Sequence, residues 1–330
     1  MSDYLKNRKQ ITYYNNIYSK PAVLRHGTPQ GSQLGPLLFA IYINDLVNSS
    51  RFLSFELYAD DSNAGAGGPN LAQLVRSVNL ELVHVYDWIT KNHLCANNTK
   101  LLHLLFTNET EIENYNLKLG NYTIPREKHT KLLGVIIDDK LKWSQHTASV
   151  SKKLSQLNGV LYLCRNKLSK EALRSIYYSL AYSHLSYCVS IWGGTWALHL
   201  KSINIAQKRL IKTISFAPRD HRSLPLFVQN QMLTFESVFI YFTSMVAFKY
   251  INCGYCCSSF SHQENQRELR NNANKLLVPF FRTTRGQKSV FYQTPKIWNS
   301  LPSEIRLLSN INTFKLRLKL YLKNQQSERL

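Results

Sequence analysis

Features that mark secreted or membrane-inserted proteins are scarce in this sequence of 330 residues. The six cysteines are mostly scattered and no signal peptide precedes them, which argues against a disulfide framework and favours free thiols in a reducing compartment. No hydrophobic run is long enough for a membrane span. The best candidate, Val238–Phe248, is short and flanked by Glu236 and Lys249, so we predict a core helix and no membrane partner.

Acidic side chains are also scarce, but only in one half of the chain. Residues 1–150 carry 15 Lys and Arg against 13 Asp and Glu, whereas residues 151–330 carry 26 against 7. The second half therefore has a net charge of +19, which is typical of a region that binds nucleic acid; a solvated basic surface is the alternative. The apolar fraction of 44% and the aromatic fraction of 12% exclude a disordered chain.

The clustered cysteines Cys253, Cys256 and Cys257, with His262 nearby, leave a zinc site open as an alternative. No second Cys or His pair follows at zinc-finger spacing, so zinc would need ligands from elsewhere in the chain. We therefore favour buried or loose thiols over a metal site.

Short strand patterns and amphipathic helix patterns are mixed along the chain, which predicts an α+β fold. The expected elements are a hairpin around Asn15–Asn16, a helix from Leu34 to about Asn48, a strand–turn–strand over residues 52–68, a helix from about Asn70 to Lys91, strands at Leu101–Phe106 and Lys131–Asp138, helices from Thr147 to about Leu233, and a last helix over Asn312–Gln325. A length of 330 residues suits two or three domains.

Two polar motifs interrupt this pattern, the turn at residues 27–32 and the sequence Tyr58-Ala59-Asp60-Asp61. Two adjacent carboxylates beside apolar residues are costly to place near a core unless a cation neutralises them. A pair of Mg²⁺ ions that holds a nucleotide's phosphates would supply this neutralisation.

The two motifs, in this order and spacing, resemble the palm of non-LTR (LINE, Jockey/CR1-like) retrotransposon reverse transcriptases. Gly27–Leu46 resembles the family's Gly-x-Pro-Gln-Gly-Ser-x-Leu-Gly-Pro-Leu-Leu-Phe element almost position for position. Trp298–Arg306 and the following helix look like the carboxy-terminal signature of these elements, which separates them from retroviral enzymes and group II intron maturases.

The resemblance implies a catalytic and metal-binding role for Asp60 and Asp61, with Asp60 the more direct ligand. The implied ion is Mg²⁺, with Mn²⁺ as the alternative. The implied reaction is RNA-directed DNA synthesis, with dNTP, an RNA template and a DNA primer or target as partners. It also implies a location inside the cell, in the nucleus or cytoplasm. The sequence indicates no oligomeric state.

The resemblance also assigns binding roles to residues outside the carboxylate pair. Gln30 and Gly31 are expected to line the incoming nucleotide and the template base. Lys100 is expected to help order the triphosphate, although a solvated lysine at the end of a strand is the alternative. Leu133 and Gly134 lie in a segment that resembles the primer-grip strand.

One carboxylate that the resemblance requires is not found. Polymerases of this type use a third carboxylate on a strand well upstream of the turn, and 26 residues precede Gly27. Asp3 is too close to the turn, and Asp45 lies at the end of a helix where it is structural. We therefore expect the isolated chain to be an inactive fragment that lacks the fingers and the first catalytic strand.

These expectations combine into one architecture. Residues 1–145 would form a partial right-hand polymerase palm, an antiparallel sheet with packed helices. Residues 146–233 would form a helical thumb or connection, and residues 234–330 a basic, helical carboxy-terminal region. The alternative function is a non-catalytic nucleic-acid-binding remnant of a retroelement.

Overall fold

The computed structural model describes residues 6, 8–24, 27–29, 31–108, 115–254, 260–261 and 274–330. The chain divides into two compact units, Met1–Glu127 and Lys128–Leu330. Both mix helices with small antiparallel strand pairs, so the expected α+β class is confirmed.

The first unit contains two helices and eight short strands, which form four pairs. Its elements are β1 (Lys9–Gln10), β2 (Tyr13–Tyr14), β3 (Ile17–Tyr18), β4 (Ala22–Val23), α1 (Leu34–Ile43), a 3₁₀ turn (Asn44–Ser49), β5 (Ser54–Tyr58), β6 (Asp61–Gly65), α2 (Leu71–Lys91), β7 (Leu117–Leu119) and β8 (Tyr122–Ile124). Strand β1 pairs with β4, β2 with β3, β5 with β6 and β7 with β8, all antiparallel.

Local side-chain chemistry fixes the ends of these elements. Asn15 and Asn16 have φ values of 50° and 65° between β2 and β3, the left-handed pair that a tight two-residue hairpin needs, so the predicted hairpin is confirmed. The Asn70 side chain accepts a hydrogen bond from the Gln73 N–H at 2.9 Å and begins α2, and Lys91 ends it. This helix also has the bounds that the sequence predicts.

The core of the first unit is small, and one predicted strand is wrong. The buried apolar side chains of this core come from the end of α1, the 3₁₀ turn, the segment before β5, α2 and the β7–β8 pair: Ile43, Leu46, Leu53, Leu82, Val85, Leu119 and Ile124. Residues 101–106 do not form a strand; they contribute a single isolated bridge between His103 and Arg126. The apolar run there resembled a strand, but a strand needs a partner along its length.

The second unit is one strand pair followed by a helical body. Its elements are β9 (His129–Leu132), β10 (Val135–Asp138), α3 (Ser144–Cys164), α4 (Lys170–Ile176), a π-helical turn (Tyr177–Tyr182), α5 (Ser183–Ser186), α6 (Val189–Trp192), α7 (Ala197–Ile214), α8 (Ser223–Gln229), α9 (Phe235–Asn252), α10 (Thr284–Gln287), α11 (Val290–Ser300), α12 (Ser303–Arg306) and α13 (Ile311–Glu328). The predicted helical stretch and the last helix are confirmed. The predicted strand over residues 131–138 is wrong, because a turn at Leu133–Gly134 folds it into a hairpin.

Aromatic side chains dominate the core of the second unit. Trp192 is fully buried, stacks on Phe235 with ring centroids 5.5 Å apart, and donates its indole N–H to the Tyr187 carbonyl at 2.9 Å. Phe248 stacks on Phe314 at 4.4 Å. Residues 238–248 lie within α9 and supply several fully buried side chains, as predicted for a core helix. None of the helices in the described ranges has the length and hydrophobicity that crossing a membrane requires.

Two buried glutamines hold the peptide that leads into α9. The Gln207 amide donates to the Tyr177 hydroxyl at 2.9 Å and to the Leu233 carbonyl at 3.0 Å, and it accepts from the Phe235 N–H at 2.8 Å. Gln326 donates to the Met232 carbonyl at 3.1 Å and accepts from the Thr234 N–H at 3.0 Å. Because both amides are buried and paired, they link α7, α9 and α13 through one short segment.

His146 couples the stability of the second unit to pH. Burial against the edge of Trp192, with Lys153 adding a smaller effect, lowers the pKa of His146 to about 4. The neutral ring places its Nδ1 3.3 Å from the Ile136 N–H, where it can accept a hydrogen bond. Because the pKa of His146 in the folded protein lies below the ordinary histidine value of 6.5, the unfolded chain binds the proton more readily.

We therefore expect stability to be lost as the pH falls from about 6.5 to about 4. His146→Asn keeps an acceptor but no titrating ring, so part of this loss should disappear. His221→Asn, on an exposed loop, is the matched control and should keep the wild-type pH dependence. Urea midpoints across this range measure the effect. Identical pH profiles for wild type and His146→Asn would contradict it.

Candidate active site and nucleic-acid interface

The turn at residues 27–32 is built by backbone hydrogen bonds and two glycines. The Ser32 N–H donates to the Pro29 carbonyl at 3.3 Å, and Gly31 has a φ of 81° that favours glycine. The Ser32 hydroxyl accepts from the Gly35 N–H at 3.1 Å and so fixes the start of α1. The Arg8 guanidinium donates to the Gly27 carbonyl, a contact that no motif in the sequence predicts. Gln30 lies outside the described residues.

Asp60 and Asp61 lie at the tip of the β5–β6 hairpin. Tyr58 pairs with Asp61, so Ala59 and Asp60 form a two-residue turn, with Ala59 at a φ of 52°. Phe55 and Leu57 on β5 are half-buried and pack on the core of the first unit. The alternation of a strand then directs Tyr58 and its partner away from that core.

Both carboxylates are exposed, whereas the sequence argument placed them close to a core. The hairpin register explains the difference, since the apolar neighbours point inward and the acidic tip extends beyond them. Glu56 lies on the same face of the ladder as Asp61, two pairs further from the tip, and no motif in the sequence pointed to it. In the part of the chain that the structure describes, no group of three or more His, Cys, Asp or Glu is placed to hold a metal ion.

The donor chemistry at this tip nevertheless fits Mg²⁺. This ion prefers oxygen ligands and keeps several waters, and proteins commonly bind it through one or two carboxylates together with substrate phosphates. Asp60 and Asp61 supply two such carboxylates side by side, with open solvent for the remaining ligands.

Lys100 lies in a turn that Asn97 organises. The Asn97 side chain accepts from the Thr99 N–H at 3.1 Å and from the Thr99 hydroxyl at 2.7 Å, and the Asn97 carbonyl accepts from the Lys100 N–H at 3.0 Å. This Asx-type turn leaves the Lys100 side chain exposed. Among the described residues, no ion pair joins Lys100 to Asp60 or Asp61.

Leu133 and Gly134 form the tip of the β9–β10 hairpin. Their φ values of 44° and 87° give the left-handed pair of a tight turn. The Tyr187 hydroxyl donates to the Leu133 carbonyl at 2.6 Å and holds the tip. At the other end of β10, the buried Asp138 carboxylate accepts from the backbone N–H groups of Lys142 at 2.9 Å and Trp143 at 2.7 Å.

The carboxy-terminal signature has a structural explanation in the second unit. The Trp298 indole donates to the Asn274 carbonyl at 2.6 Å. The Asn299 amide pairs with both backbone groups of Leu276, accepting from its N–H at 3.0 Å and donating to its carbonyl at 2.8 Å. Arg306 is buried and donates from its Nε to the Leu301 carbonyl at 3.1 Å. Trp298 and Asn299 therefore bind the backbone of another segment of the same chain, residues 274–276.

The predicted site residues are divided between the two units. Gly31, Asp60, Asp61 and Lys100 lie in the first unit, each on a turn, and Leu133 and Gly134 lie on a turn in the second. Of the cysteine cluster, Cys253 is exposed with a free thiol, and residues 256, 257 and 262 lie outside the described ranges.

The range that matches a known protein family covers these turns. Residues 2–137 match the reverse transcriptase (RNA-dependent DNA polymerase) family. This matched range contains the residue 27–32 turn, the Asp60–Asp61 hairpin and Lys100. The chain is also similar to RNA-directed DNA polymerases of transposons and mobile elements.

Three relatives come from Drosophila. The probable RNA-directed DNA polymerase from transposon BS of Drosophila melanogaster is 25% identical over 72% of this chain and 27% of that protein. The polymerase from mobile element jockey of Drosophila funebris is 24% identical over 66% and 25%. The probable polymerase from transposon X-element of Drosophila melanogaster is 24% identical over 65% and 24%. The chain spans about a quarter of the length of these relatives. No solved structure matches it significantly.

The left-handed tip of the β9–β10 hairpin should require its glycine. Gly134→Ala forces a side chain onto a φ of 87° and should lower the free energy of unfolding by about 1–2 kcal/mol. Gly159→Ala is the matched control, because Gly159 is exposed within α3 and a Cβ there meets open space. That change should raise stability by about 0.5–1 kcal/mol. Urea unfolding curves test both; two effects of equal sign would contradict the turn geometry.

Proposed function

We propose that this chain forms part of an RNA-directed DNA polymerase. Residues 1–145 would be part of its palm, 146–233 its helical thumb or connection, and 234–330 a basic carboxy-terminal region. The observation that carries the proposal is the β5–β6 hairpin, whose tip holds Asp60 and Asp61 side by side and exposed. The family match over residues 2–137 and the names of the relatives support the same activity.

Asp60 and Asp61 would bind Mg²⁺ or Mn²⁺, ions that stabilise the charge which develops on the phosphoryl oxygens during nucleotidyl transfer. The residue 27–32 turn would orient the nucleotide, since the open space around Gly31 lets a ligand approach the backbone closely. Lys100, exposed on its Asn97 turn, would neutralise charge on the triphosphate. The Leu133–Gly134 tip would hold the primer strand.

Nucleic acid would be the principal partner of the second unit. Residues 151–330 carry a net charge of +19, and their aromatic residues divide into a buried set and a partly exposed set. Tyr177 and Trp192 are core residues, whereas Tyr178 and Trp196 are half-buried. A non-catalytic nucleic-acid-binding protein is the second candidate, because this unit has its own large core and most of the positive charge.

A chimaera tests the catalytic proposal. In it, this chain replaces the matching quarter of the Drosophila funebris jockey polymerase. We expect Mg²⁺-dependent extension of a DNA primer on an RNA template. Asp60→Asn should lower the single-turnover rate by roughly a thousandfold, because several kcal/mol of charge stabilisation are lost. Lys100→Ala should lower it by about a hundredfold.

Lys118→Ala, an exposed lysine on β7 with no assigned role, is the control for Lys100 and should leave the rate unchanged. Equal and mild losses in the Asp60 and Lys100 variants would mean that the hairpin tip is not the metal site. An inactive unaltered chimaera beside an active parent enzyme would contradict the polymerase proposal itself.

Salt dependence tests the nucleic-acid partner independently of catalysis. If phosphate contacts dominate, the affinity of the full chain for an RNA oligonucleotide should fall steeply with salt. The slope of log affinity against log salt should be about −0.7 to −0.9 per phosphate contacted. Fluorescence anisotropy at several salt concentrations measures it. A slope near zero, or no binding at low salt, would refute nucleic-acid binding.

A further inference from the structure

A groove on the second unit combines aromatic rings with lysines. It lies between the π-helical turn, α9 and α13, and encloses about 460 Å³. Tyr182, Tyr241 and Phe242 line its floor, and Lys249, Lys315 and Lys319 line its rim. We call this surface, defined by these six residues, the tyrosine groove.

The floor of the tyrosine groove is one connected run of rings. Tyr241 meets Phe242 edge to face at 5.2 Å, and Tyr182 lies 6.2 Å from Phe242. Tyr178 extends the run beyond Tyr182 at 5.4 Å. Burial raises the pKa of the Tyr182 and Tyr241 hydroxyls, so both rings stay neutral, and both remain half-exposed. The rings therefore offer uncharged, partly open faces to a planar ligand.

The rim concentrates positive charge. Lys315, Lys319 and Lys323 follow one another at four-residue spacing on one side of α13, where like charges destabilise a helix. Arg174 and Lys319 both lie near the Tyr178 ring, at 5.8 and 6.0 Å from its centroid. Burial lowers the pKa of Lys323, and the charges of Lys319 and Arg174 lower it further. No carboxylate is among the residues that line the groove.

Repulsion of this kind is unfavourable in the free protein and is relieved by a polyanion. Phosphates would neutralise Lys315 and Lys319, and the tyrosine faces would accept stacked bases, the two components of sequence-tolerant binding to single strands. A duplex keeps its bases stacked inside, so it could use the lysines but not the rings. The chemistry of the groove thus favours an unpaired strand over a duplex.

We propose that the tyrosine groove binds single-stranded nucleic acid, with Lys315 and Lys319 on the phosphates and Tyr182 and Tyr241 against the bases. This inference rests on the proposed function and deepens it, because it gives a polymerase a defined contact for an unpaired template or product strand. RNA and DNA strands share the chemistry that the groove recognises, and the experiment separates them.

Fluorescence anisotropy with the full chain tests the proposal. The probes are a labelled oligouridylate about 16 nucleotides long, the matching oligothymidylate, and a duplex of equal length. Tyr241→Leu keeps apolar volume but removes the ring, and should weaken binding of the single strands by roughly five- to a hundredfold while leaving the duplex unchanged. Tyr241→Phe should keep the wild-type affinity. The oligonucleotide that is weakened more identifies the preferred strand.

A charge-matched pair of variants locates the phosphate contacts. Lys315→Gln with Lys319→Gln should reduce the salt slope for the single strand by about 1.4, two contacts at about 0.7 each. Lys201→Gln with Lys208→Gln removes the same charge from exposed positions on α7 that do not line the groove, and should leave the slope unchanged.

Equal effects from the two lysine pairs, or a Tyr241→Leu variant that binds like wild type, would overturn the groove assignment while leaving nucleic-acid binding intact. Equal weakening of single strand and duplex by Tyr241→Leu would also overturn it. An inactive chimaera together with the expected groove results would instead contradict the polymerase proposal and support the groove. Thermal unfolding monitored by circular dichroism confirms that each variant is folded.

Discussion

The second unit depends on the hydrogen bonds of two buried amides. Gln207 and Gln326 satisfy the peptide groups of residues 232–235, where the chain turns into α9. Without them, buried backbone donors and acceptors would lose their partners at a cost of about 1–3 kcal/mol each. With them, α9 is fixed against α7 and α13, and the rings and lysines of the tyrosine groove are brought to one surface. The basic half therefore has a rigid polar centre beneath its charged exterior.

The first unit positions its candidate functional residues in a different way, through local hydrogen bonds. Its candidate functional residues are held by short-range bonds: a serine cap before α1, an Asx turn at Asn97 and a two-residue turn at Ala59. Its core is small, and long apolar side chains such as Tyr14, Ile17 and Tyr18 remain largely exposed on the first hairpin. Turns of this kind position side chains through local hydrogen bonds. The stability of the turns also depends on the contacts that the exposed apolar surface around them makes.

The sequence predicted the elements whose signals are local. The hairpin around Asn15–Asn16 and the helix from about Asn70 were both found where expected, because the left-handed asparagines and the Asn70 cap that fix them act within a few residues. The strand over residues 101–106 failed because pairing is a tertiary property that a run of apolar residues does not encode. The structural role of Gln207 could not have been predicted from the sequence. A polar residue in an amphipathic helix is normally assigned to the solvent-exposed face, and only the structure shows the three buried partners of Gln207. The roles of Asp60, Asp61 and Lys100 stay predictions.

The π-helical turn at Tyr177–Tyr182 makes the shape of the tyrosine groove sensitive to insertions and deletions. A π turn contains one residue more than an α-helical turn, and each residue advances a helix by about 100°. In this turn Tyr177 faces the core, while Tyr178 and Tyr182 share the outer surface with ring centroids 5.4 Å apart. Loss of a single residue at Ser179 would restore a regular helix and place Tyr178 and Tyr182 three residues apart, which changes the spacing of their rings along the surface. The ligand that this surface accepts is therefore sensitive to chain length at one position, even when every groove side chain is kept.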